Sequence, residues 1–316
     1  MSEQKKNAPN VVDIYLAEPR GFCAGVRRAV SLVEESLKKY GAPVFVRHEI
    51  VHNRHVIQEL ESKGAVFVEE LCETDAAKPL IISAHGAGKA VHEQSQQKHK
   101  IVIDATCPLV AKIHNEIKKY AQEGKDIIVI GKASHPEIIG TVGQLPNYKK
   151  ITIINTKEQA ETVEVENPDE IAFVSQTTLS VDDTKEIIAI LQKKFPKIAG
   201  LKRQDICYAT TNRQNAVKAL AEKAECVLII GSQNSSNSNQ LRHVAQKNGA
   251  EFACLINDAQ EVDWQKIASF QKIGISAGAS APEHLVEELL KEFAKRYNNI
   301  NIHHVIIAKE NVKFKI

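Results

Sequence analysis

Three of the six cysteines share a local setting that suits metal ligands or reactive thiols. Cys23 and Cys107 follow the strand-like segments VDIYLAEPR and KIVIDAT, and Cys207 follows RQDI. A stretch with helical periodicity comes directly after each cysteine. Because a helix start offers free N–H groups and the positive end of the dipole, a cysteine there favours the thiolate form. The apolar faces of the first two predicted helices are Val26, Val30, Val33 and Leu37, and Val110, Ile113, Ile117 and Tyr120.

The other three cysteines lack this setting. Cys226 and Cys254 lie inside the apolar, strand-like runs ECVLIIG and EFACLIND, and Cys72 has no glycine, proline or polar cluster around it. The sequence begins MSEQKKNAPN, which lacks the apolar core of a secretory signal and predicts a short disordered lead-in to a cytoplasmic protein. Because disulfides are rare in that compartment, we interpret these cysteines as small apolar residues without a chemical role.

The pattern continues beyond each predicted helix. A short apolar strand follows (PVFV, DIIVIG and CVLIIG in turn), and each strand opens into a polar loop. In these loops His52, His135 and Ser235 lie 29, 28 and 28 residues after the preceding cysteine of the set. We call these three the second-position residues, and their regular spacing indicates a repeated structural unit.

A third position recurs in the same order. The strand-like segments in LIISAHGAGK, AFVSQTTLS and IGISAGASAPE end in small or polar residues, which include His85, Thr178 and Ser280. These third-position residues lie 62, 71 and 73 residues after the corresponding cysteines. In open α/β sheets, ligands bind outside the carboxyl ends of the strands. The sequence therefore predicts that all three kinds of position face one ligand site.

These repeats predict an α/β protein with three lobes. The expected lobes are residues 1–100 with Cys23, residues 101–200 with Cys107, and residues 201–316 with Cys207 and a C-terminal tail. If the strand ends of the lobes face one axis, the three cysteines meet there. The tail ends HHVIIAKENVKFKI, and its apolar run predicts a terminal strand that packs on the first lobe.

Three converging thiolates are soft ligands, which select zinc, copper(I) or iron–sulfur clusters. Structural zinc sites usually take cysteines in close pairs, whereas these three are separated by 84 and 100 residues. Three cysteines on a [4Fe–4S] cluster would leave one iron without a protein ligand, open to a substrate. The cysteines alone leave these alternatives open.

The polar loops leave two alternatives open, an anion-binding site and flexible surface loops. The run SQNSSNSNQL stands at a strand end and a helix start, where N–H groups and hydroxyls receive phosphate oxygens. Protonated histidines would add charge-assisted hydrogen bonds to phosphate. Glu137, two residues after His135 in SHPE, is a candidate proton donor. The candidate anion-binding residues are His52, His85, His135, Ser235, Ser236, Asn237, Ser238 and Ser280.

The motifs from Arg20 to Glu283 resemble those of the 4-hydroxy-3-methylbut-2-enyl diphosphate reductase (IspH/LytB) family. They are RGFCAGVRRAV, VHN, SAHG, DATCPLV, SHPE, SQTTLS, CYATTNRQ, NSSNSNQL and AGASAPE, in this order. The resemblance implies a trefoil of three α/β lobes around a central iron–sulfur cluster. It also implies reductive dehydroxylation of that diphosphate to isopentenyl and dimethylallyl diphosphate, the last step of the methylerythritol phosphate pathway of isoprenoid biosynthesis.

The resemblance implies a role for each motif residue. Cys23, Cys107 and Cys207 would ligate one [4Fe–4S] cluster with one open iron, found as [3Fe–4S] after exposure to air. Glu137 would relay protons to the substrate hydroxyl, with Thr178 and His135 beside it. A ferredoxin or flavodoxin would supply the electrons. The residues expected to bind the allylic diphosphate substrate are His52, His85, His135, Thr178, Ser235, Ser236, Asn237 and Ser280.

Other functional classes use less of this pattern. A structural or redox-sensing iron–sulfur protein would need the thiolates but not the polar loops or Glu137. A hydrolase or transferase of phosphorylated substrates would need the loops and only one reactive cysteine. Neither a P-loop GxxxxGK[ST] nor a Rossmann GxGxxG occurs. The net charge of +2 and the 5% aromatic content argue against a nucleic-acid partner, and the apolar runs are too short to predict a membrane span.

Overall fold

The structure is a computed structural model that describes residues 11–200 and 205–316, so the lead-in expected at residues 1–10 lies outside it. In the described residues the chain forms twelve strands, eleven α-helices and two short 3₁₀ helices. The strands are β1 (Val11–Glu18), β2 (Val44–Arg47), β3 (Ala65–Val68), β4 (Leu80–Ile82), β5 (Val102–Asp104), β6 (Asp126–Ile130), β7 (Ile151–Ile154), β8 (Ile171–Ser175), β9 (Cys226–Ile230), β10 (Phe252–Ile256), β11 (Lys272–Ala277) and β12 (Asn299–Ile306). The helices are α1 (Ala24–Tyr40), α2 (Arg54–Ser62), α3 (Lys89–Lys98), α4 (Pro108–Gln122), α5 (Pro136–Val142), α6 (Lys157–Thr162), α7 (Val181–Lys194), α8 (Tyr208–Ala221), α9 (Ser236–Lys247), α10 (Trp264–Ile267) and α11 (Glu283–Arg296).

The predicted α/β class is confirmed. The strands form three sheets, of five, four and three strands, and every pairing within these sheets is parallel. Parallel neighbours need crossover connections, which the intervening helices supply here. Central strands such as β6 and β9 are buried along their whole length, as their continuous apolar sequences require.

The described residues divide into two compact units. The first unit comprises residues 11–23, His52–Val56 and Tyr208–Lys313, and it contains the five-stranded sheet in the order β10-β9-β11-β1-β12. Side chains of β9 alternate between its faces: Leu228 packs in the core with α11, and Ile229 packs in the core with α8 and α9.

The predicted terminal strand is confirmed as β12. It pairs with β1 over eight positions, from Val11 opposite Asn299 to Glu18 opposite Ile306. The C-terminal strand therefore lies at the edge of the sheet that contains the N-terminal strand.

The second unit comprises Ala24–Val51, the described part of Ile57–Cys207, and Phe314–Ile316. It contains the sheets β3-β2-β4-β5 and β7-β6-β8. Gly88 and Gly143 approach so closely that a Cβ on Gly88 would lie 2.9 Å from the Gly143 Cα. This contact brings the start of α3 against the end of α5 within the unit.

The apolar face predicted for α4 is confirmed, whereas the one predicted for α1 is only partly correct. All four residues of the predicted α4 face, which include Ile113 and Ile117, are buried. On α1 only Val33 of the predicted face is fully buried, because the helix turns the small residues Gly25 and Ala29 inward. Small side chains allow a helix to approach its neighbours closely, which the periodicity of larger apolar residues does not reveal.

The sheets take strands from different parts of the chain. β1 lies within residues 1–100 but pairs with β11 and β12, and β5 lies within residues 101–200 but pairs with β4. The division into lobes at residues 101 and 201 stays a prediction.

Candidate active-site residues

Each of the three predicted ligand cysteines directly precedes a helix. Cys23 comes before α1, Cys107 is the N-cap residue of α4, and Cys207 comes before α8. All three are half-buried. No strand is formed by residues 205–206 before Cys207, and Arg203 and Gln204 of the expected segment RQDI lie outside the described residues.

The remaining cysteines occupy the surroundings expected of apolar residues. Cys226 and Cys254 lie in β9 and β10, and Cys72 is exposed in a short 3₁₀ turn. Burial raises the pKa of the Cys226 thiol to about 12 and that of Cys254 to about 11. Both thiols therefore stay protonated and unreactive at neutral pH.

The backbone around each candidate ligand follows one scheme. The amide of each cysteine donates to the carbonyl of the residue that directly precedes a third-position residue. These hydrogen bonds join Cys23 to Ala279 at 3.2 Å, Cys107 to Ala84 at 3.0 Å and Cys207 to Thr177 at 3.2 Å. The first bond lies in the first unit and the other two lie in the second unit.

In the first unit, Ser280 and His52 are in direct contact. The Ser280 hydroxyl donates to the carbonyl of His52 at 2.9 Å, and its neighbour Ala279 accepts the Cys23 amide. His52 precedes Asn53, whose side chain accepts the amide of Val56 and caps α2. The second-position and third-position residues of this unit are thus held beside the cysteine loop.

The polar run of the first unit forms the start of a helix. Ser235 is the N-cap residue of α9, and its hydroxyl oxygen accepts the amide of Ser238 at 3.3 Å. The Ser238 side chain fits against two glycines: a Cβ would lie 2.2 Å from its Oγ at Gly231 and 2.1 Å from it at Gly278. Only glycine at these positions lets α9 begin so close to the ends of β9 and β11.

Asn237, in the first turn of α9, is buried with only 5% of its surface exposed. Among the residues that the structure describes, neither its Oδ1 nor its Nδ2 has a hydrogen-bond partner. A buried amide without partners is costly, and natural sequences retain such a group when a ligand completes its hydrogen bonds. The positive end of the α9 dipole lies at the same place, so this arrangement suits an anion.

The second unit contains a buried carboxyl group. Glu137, in the first turn of α5, is 3% exposed. Its Oε1 accepts the amide of Thr177 at 2.7 Å, and its Oε2 accepts the Thr177 hydroxyl at 2.8 Å. Burial raises the pKa of Glu137 to about 7, although the two hydrogen bonds from Thr177 act in the opposite direction. A carboxyl group with this pKa can both donate and accept a proton at neutral pH.

Two histidines lie beside this group. His135 is the N-cap residue of α5, and its Nδ1 accepts the Glu137 amide at 3.1 Å. This acceptor role leaves Nε2 to carry the proton of a neutral ring. The rings of His85 and His135 meet edge to face with their centroids 5.8 Å apart. The SHPE segment, interpreted as a loop, is a helix start.

The hydrogen-bond partner of Glu137 is Thr177, the neighbour of the candidate residue Thr178. The Thr178 hydroxyl oxygen instead accepts the side-chain amide of Gln176 at 2.9 Å, and Gln176 Oε1 accepts the amide of Lys132. Sequence analysis missed Gln176 and Thr177. The only available signal was the polar run QTT at the end of β8, which does not distinguish its members.

The twelve residues to which the resemblance assigns a role are divided equally between the units. The first unit contains Cys23, His52, Ser235, Ser236, Asn237 and Ser280, and the second contains His85, Cys107, His135, Glu137, Thr178 and Cys207. Within residues 11–200 and 205–316, no three His, Cys, Asp or Glu side chains are grouped as ligands of a single metal ion. Over the same residues, no helix has both the length and the apolar character that crossing a bilayer requires.

Comparison with known proteins identifies the class to which this fold and these residues belong. The family model described as LytB protein matches residues 14–294. The chain therefore belongs to the LytB family.

Individual relatives are similar over nearly their whole length. The chain is 50% identical to the 4-hydroxy-3-methylbut-2-enyl diphosphate reductase of Gluconobacter oxydans (strain 621H), with 100% of this chain and 97% of the relative covered. It is 51% identical to the protein of the same name from Ruegeria sp. (strain TM1040), with 96% and 95% covered. The solved structure of the E-1-hydroxy-2-methyl-but-2-enyl-4-diphosphate reductase from Plasmodium falciparum matches with a TM-score of 0.92 and 37% identity, over 98% of this chain and 96% of that one.

Proposed function

We propose that this protein reduces 4-hydroxy-3-methylbut-2-enyl diphosphate to isopentenyl and dimethylallyl diphosphate, with loss of the hydroxyl group as water. The names of its relatives support this reaction. The structural observation that carries it is Glu137, a buried acid with a pKa of about 7 that is held by two hydrogen bonds from Thr177. A hydroxyl group leaves as water only when it receives a proton, so the reaction needs such a donor.

In this proposal Cys23, Cys107 and Cys207 hold one [4Fe–4S] cluster at the centre of a trefoil of three lobes. Their shared features support the assignment: each is half-buried, directly precedes a helix and has its amide bonded to an equivalent carbonyl. Three thiolates suit a cubane cluster, in which each one binds a different iron. The bound cluster supplies two kinds of chemistry, electron transfer and a Lewis-acidic iron with an open position.

The diphosphate is bound by small polar side chains at helix starts. Asn237 would donate to a phosphate oxygen from Nδ2, which has no hydrogen-bond partner in the described part of the chain. The α9 dipole favours the negative charge at the same place. The other residues proposed to bind the substrate are His52, His85, His135, Thr178, Ser235, Ser236 and Ser280.

Glu137 would deliver the proton to the departing hydroxyl oxygen. Thr177 fixes both carboxyl oxygens, so the acid is oriented before substrate binds. His135, held by the Glu137 amide, presents its Nε2 proton, and we propose that it contacts the substrate beside the acid. The electrons would come from a ferredoxin or flavodoxin in the cytoplasm.

The test begins with protein purified without oxygen. We expect an absorption band at about 400 nm and about four irons per chain, falling to about three after exposure to air. Turnover of the diphosphate with a chemical reductant should give both products. A colourless protein that binds zinc would contradict the proposal. An iron-loaded protein that does not convert the diphosphate to these two products would also contradict it.

Cysteine variants then test the ligand assignment. Cys107→Ser should lose the absorption band and the iron, while Cys72→Ser, at an exposed cysteine outside the repeats, should keep both. An active Cys107→Ser protein with full iron content would refute the assignment.

A further inference from the structure

Arg213 is almost completely buried, with 1% of its surface exposed. Its Nε and Nη2 donate to the carbonyl of Gly21 at 3.0 and 2.8 Å, and its Nη1 donates to the carbonyl of Ala209. Gly21 lies two residues before Cys23, in the left-handed region with φ of 64°. A buried arginine thus holds the backbone that leads into the cysteine loop.

The countercharge for Arg213 comes from the C-terminal tail, which follows β12. Both carboxylate oxygens of Glu310 accept hydrogen bonds from Arg213, at distances of 3.0 to 3.2 Å. The side-chain amide of Asn212 also donates to Glu310, at 3.1 Å. A buried guanidinium is tolerated only when it is paired in good geometry, so the position of Glu310 controls that of Arg213 and, through it, Gly21.

In the second unit, a partly buried arginine also contacts a cysteine loop and the tail, through backbone carbonyls. Arg28, on α1, donates from Nη1 to the carbonyl of Thr106 at 3.2 Å and from Nη2 to that of Asp104 at 3.3 Å. Its Nε donates to the carbonyl of Lys315 in the tail at 2.8 Å. Thr106 directly precedes Cys107. Each arginine therefore joins one cysteine loop to one residue of the tail.

The positions of these arginines in the sequence follow the repeat. Arg28 lies five residues after Cys23 and reaches the loop before Cys107, whereas Arg213 lies six residues after Cys207 and reaches the loop before Cys23. The helix that follows one cysteine thus supplies the residue that holds the loop of another. Arg28 and Arg213 lie in the motifs RGFCAGVRRAV and CYATTNRQ, in which the resemblance implies a role only for the cysteine.

We propose that Arg213 and Arg28 are positioning residues that fix the loops of Cys23 and Cys107, and that tail residues Glu310 and Lys315 keep the arginines in place. This inference rests on the proposed function in one respect: the loops are held in order to receive a cluster. The tail would then stabilise two of the three ligand loops, those of Cys23 and Cys107. Removal of the tail would make these two loops more mobile, although the cysteines themselves would be unchanged.

Hydrogen exchange of the full-length protein tests the proposal loop by loop. In Glu310→Gln, exchange of the peptide covering residues 19–25 should rise roughly tenfold or more, while the peptide covering residues 102–109 stays unchanged, because only the Arg213 partner is lost. In Arg28→Gln the pattern should reverse. The matched controls are Glu288→Gln and Arg27→Gln, which change exposed residues on α11 and α1, and both should behave like the unaltered protein.

The iron-loaded protein gives a second readout. Loss of absorbance at about 400 nm in the presence of an iron chelator should be severalfold faster in Glu310→Gln and Arg28→Gln than in the two controls. Unchanged exchange in both peptides would overturn the proposal. Equal acceleration of both peptides and of the β9 core would also overturn it, because that outcome indicates a general loss of stability. If the unaltered protein bound no iron, the proposed function would fail, but the exchange measurement would still decide whether the arginines hold the loops.

Discussion

The amide of Cys23 donates to the carbonyl of Ala279, 3.2 Å away, and the next residue, Ser280, donates its hydroxyl to the carbonyl of His52. A candidate cluster ligand is therefore joined to two candidate substrate-binding residues through two hydrogen bonds and the peptide bond between Ala279 and Ser280. Movement of the cysteine loop cannot occur without movement of the turn that carries Ser280.

The second unit contains two equivalent linkages. The amide of Cys107 donates to the carbonyl of Ala84, which precedes His85. The amide of Cys207 donates to the carbonyl of Thr177, which precedes Thr178. Thr177 also donates to Glu137, so the loop of one candidate ligand is directly joined to the candidate acid. Such couplings fix the relative positions of reacting groups, and fixed geometry is a major part of catalysis.

Glu137→Gln should retain the fold and the iron but reduce turnover by about a hundredfold or more. The glutamine fits because its oxygen accepts the Thr177 amide and its NH₂ group donates to the Thr177 hydroxyl oxygen. In the unaltered protein, turnover should fall as the pH rises through about 7, because Glu137 must be protonated to donate. Measurement of kcat between about pH 5.5 and 9 checks this decrease, which is the high-pH limb of the pH profile. The limb should be missing from the residual activity of Glu137→Gln.

Thr177 variants provide the control for that prediction. Thr177→Val removes the hydroxyl that stabilises the charged carboxylate, so the limb should move to higher pH. Thr177→Ser keeps the hydroxyl and should leave the limb in place. A limb that stays fixed in Thr177→Val would show that Glu137 is not the titrating group.

Much of this arrangement is predictable from the sequence because it depends on local signals. The strand that precedes Cys23, the strand that precedes Cys107 and the helices after all three cysteines follow from hydrophobic periodicity. The constant spacing from each cysteine to the second-position residue predicted equivalent sites, and two of these, His135 and Ser235, are N-cap residues. The spacing is nearly constant because it corresponds to the combined length of a helix and a strand in each repeat.

The features that sequence analysis missed depend on tertiary contacts. Arg213 in TTNRQ is polar and lies in a predicted helix, so nothing local indicates that it is buried against Glu310, 97 residues away. The choice of Thr177 over Thr178 depends on which side chain points toward α5. The buried face of α1 was misassigned because its small residues carry a weak apolar signal.

Asn237→Ala should separate stability from substrate binding. Because neither amide atom has a partner within residues 11–200 and 205–316, the free energy of unfolding without substrate should stay the same or rise by about 1 kcal/mol. KM for the diphosphate should rise about tenfold or more, since a donor to phosphate is lost. Urea unfolding and steady-state kinetics measure the two effects.

Asn239→Ala is the matched control for Asn237. Its side chain donates to the carbonyls of Gln233 and Ser235, so its removal should lower stability by about 1 kcal/mol and change KM little. A large loss of stability in Asn237→Ala would mean that the buried amide has partners in the folded protein.

Gly86→Ala should destabilise the turn that carries His85. Gly86 has φ of 77°, and a Cβ there would lie 2.6 Å from Cε1 of the buried His114. Strain and overlap together should cost about 2 to 4 kcal/mol of unfolding free energy. Gly124→Ala is the control, because Gly124 has φ of 74° but no atom of the described residues lies within 4 Å of its Cβ position, so only the backbone cost of about 1 kcal/mol is expected. Equal costs for the two variants would show that the contact with His114 is easily relieved.

His114 should make the protein less stable in acid. Burial, reinforced by the charges of Lys118 and His92, lowers the pKa of His114 to about 4. The unfolded chain takes up a proton at this ring near its ordinary pKa of 6.5, whereas the folded protein does not, so stability is lost as the pH falls from about 6.5 toward 4. Between about pH 7.5 and 5 the loss attributable to His114 should be about 2 kcal/mol. Urea unfolding of His114→Gln at both pH values should show a correspondingly smaller difference. His243→Gln, at an exposed histidine on α9, should retain the full difference, and the same retention in His114→Gln would show that this ring is protonated without cost in the folded protein.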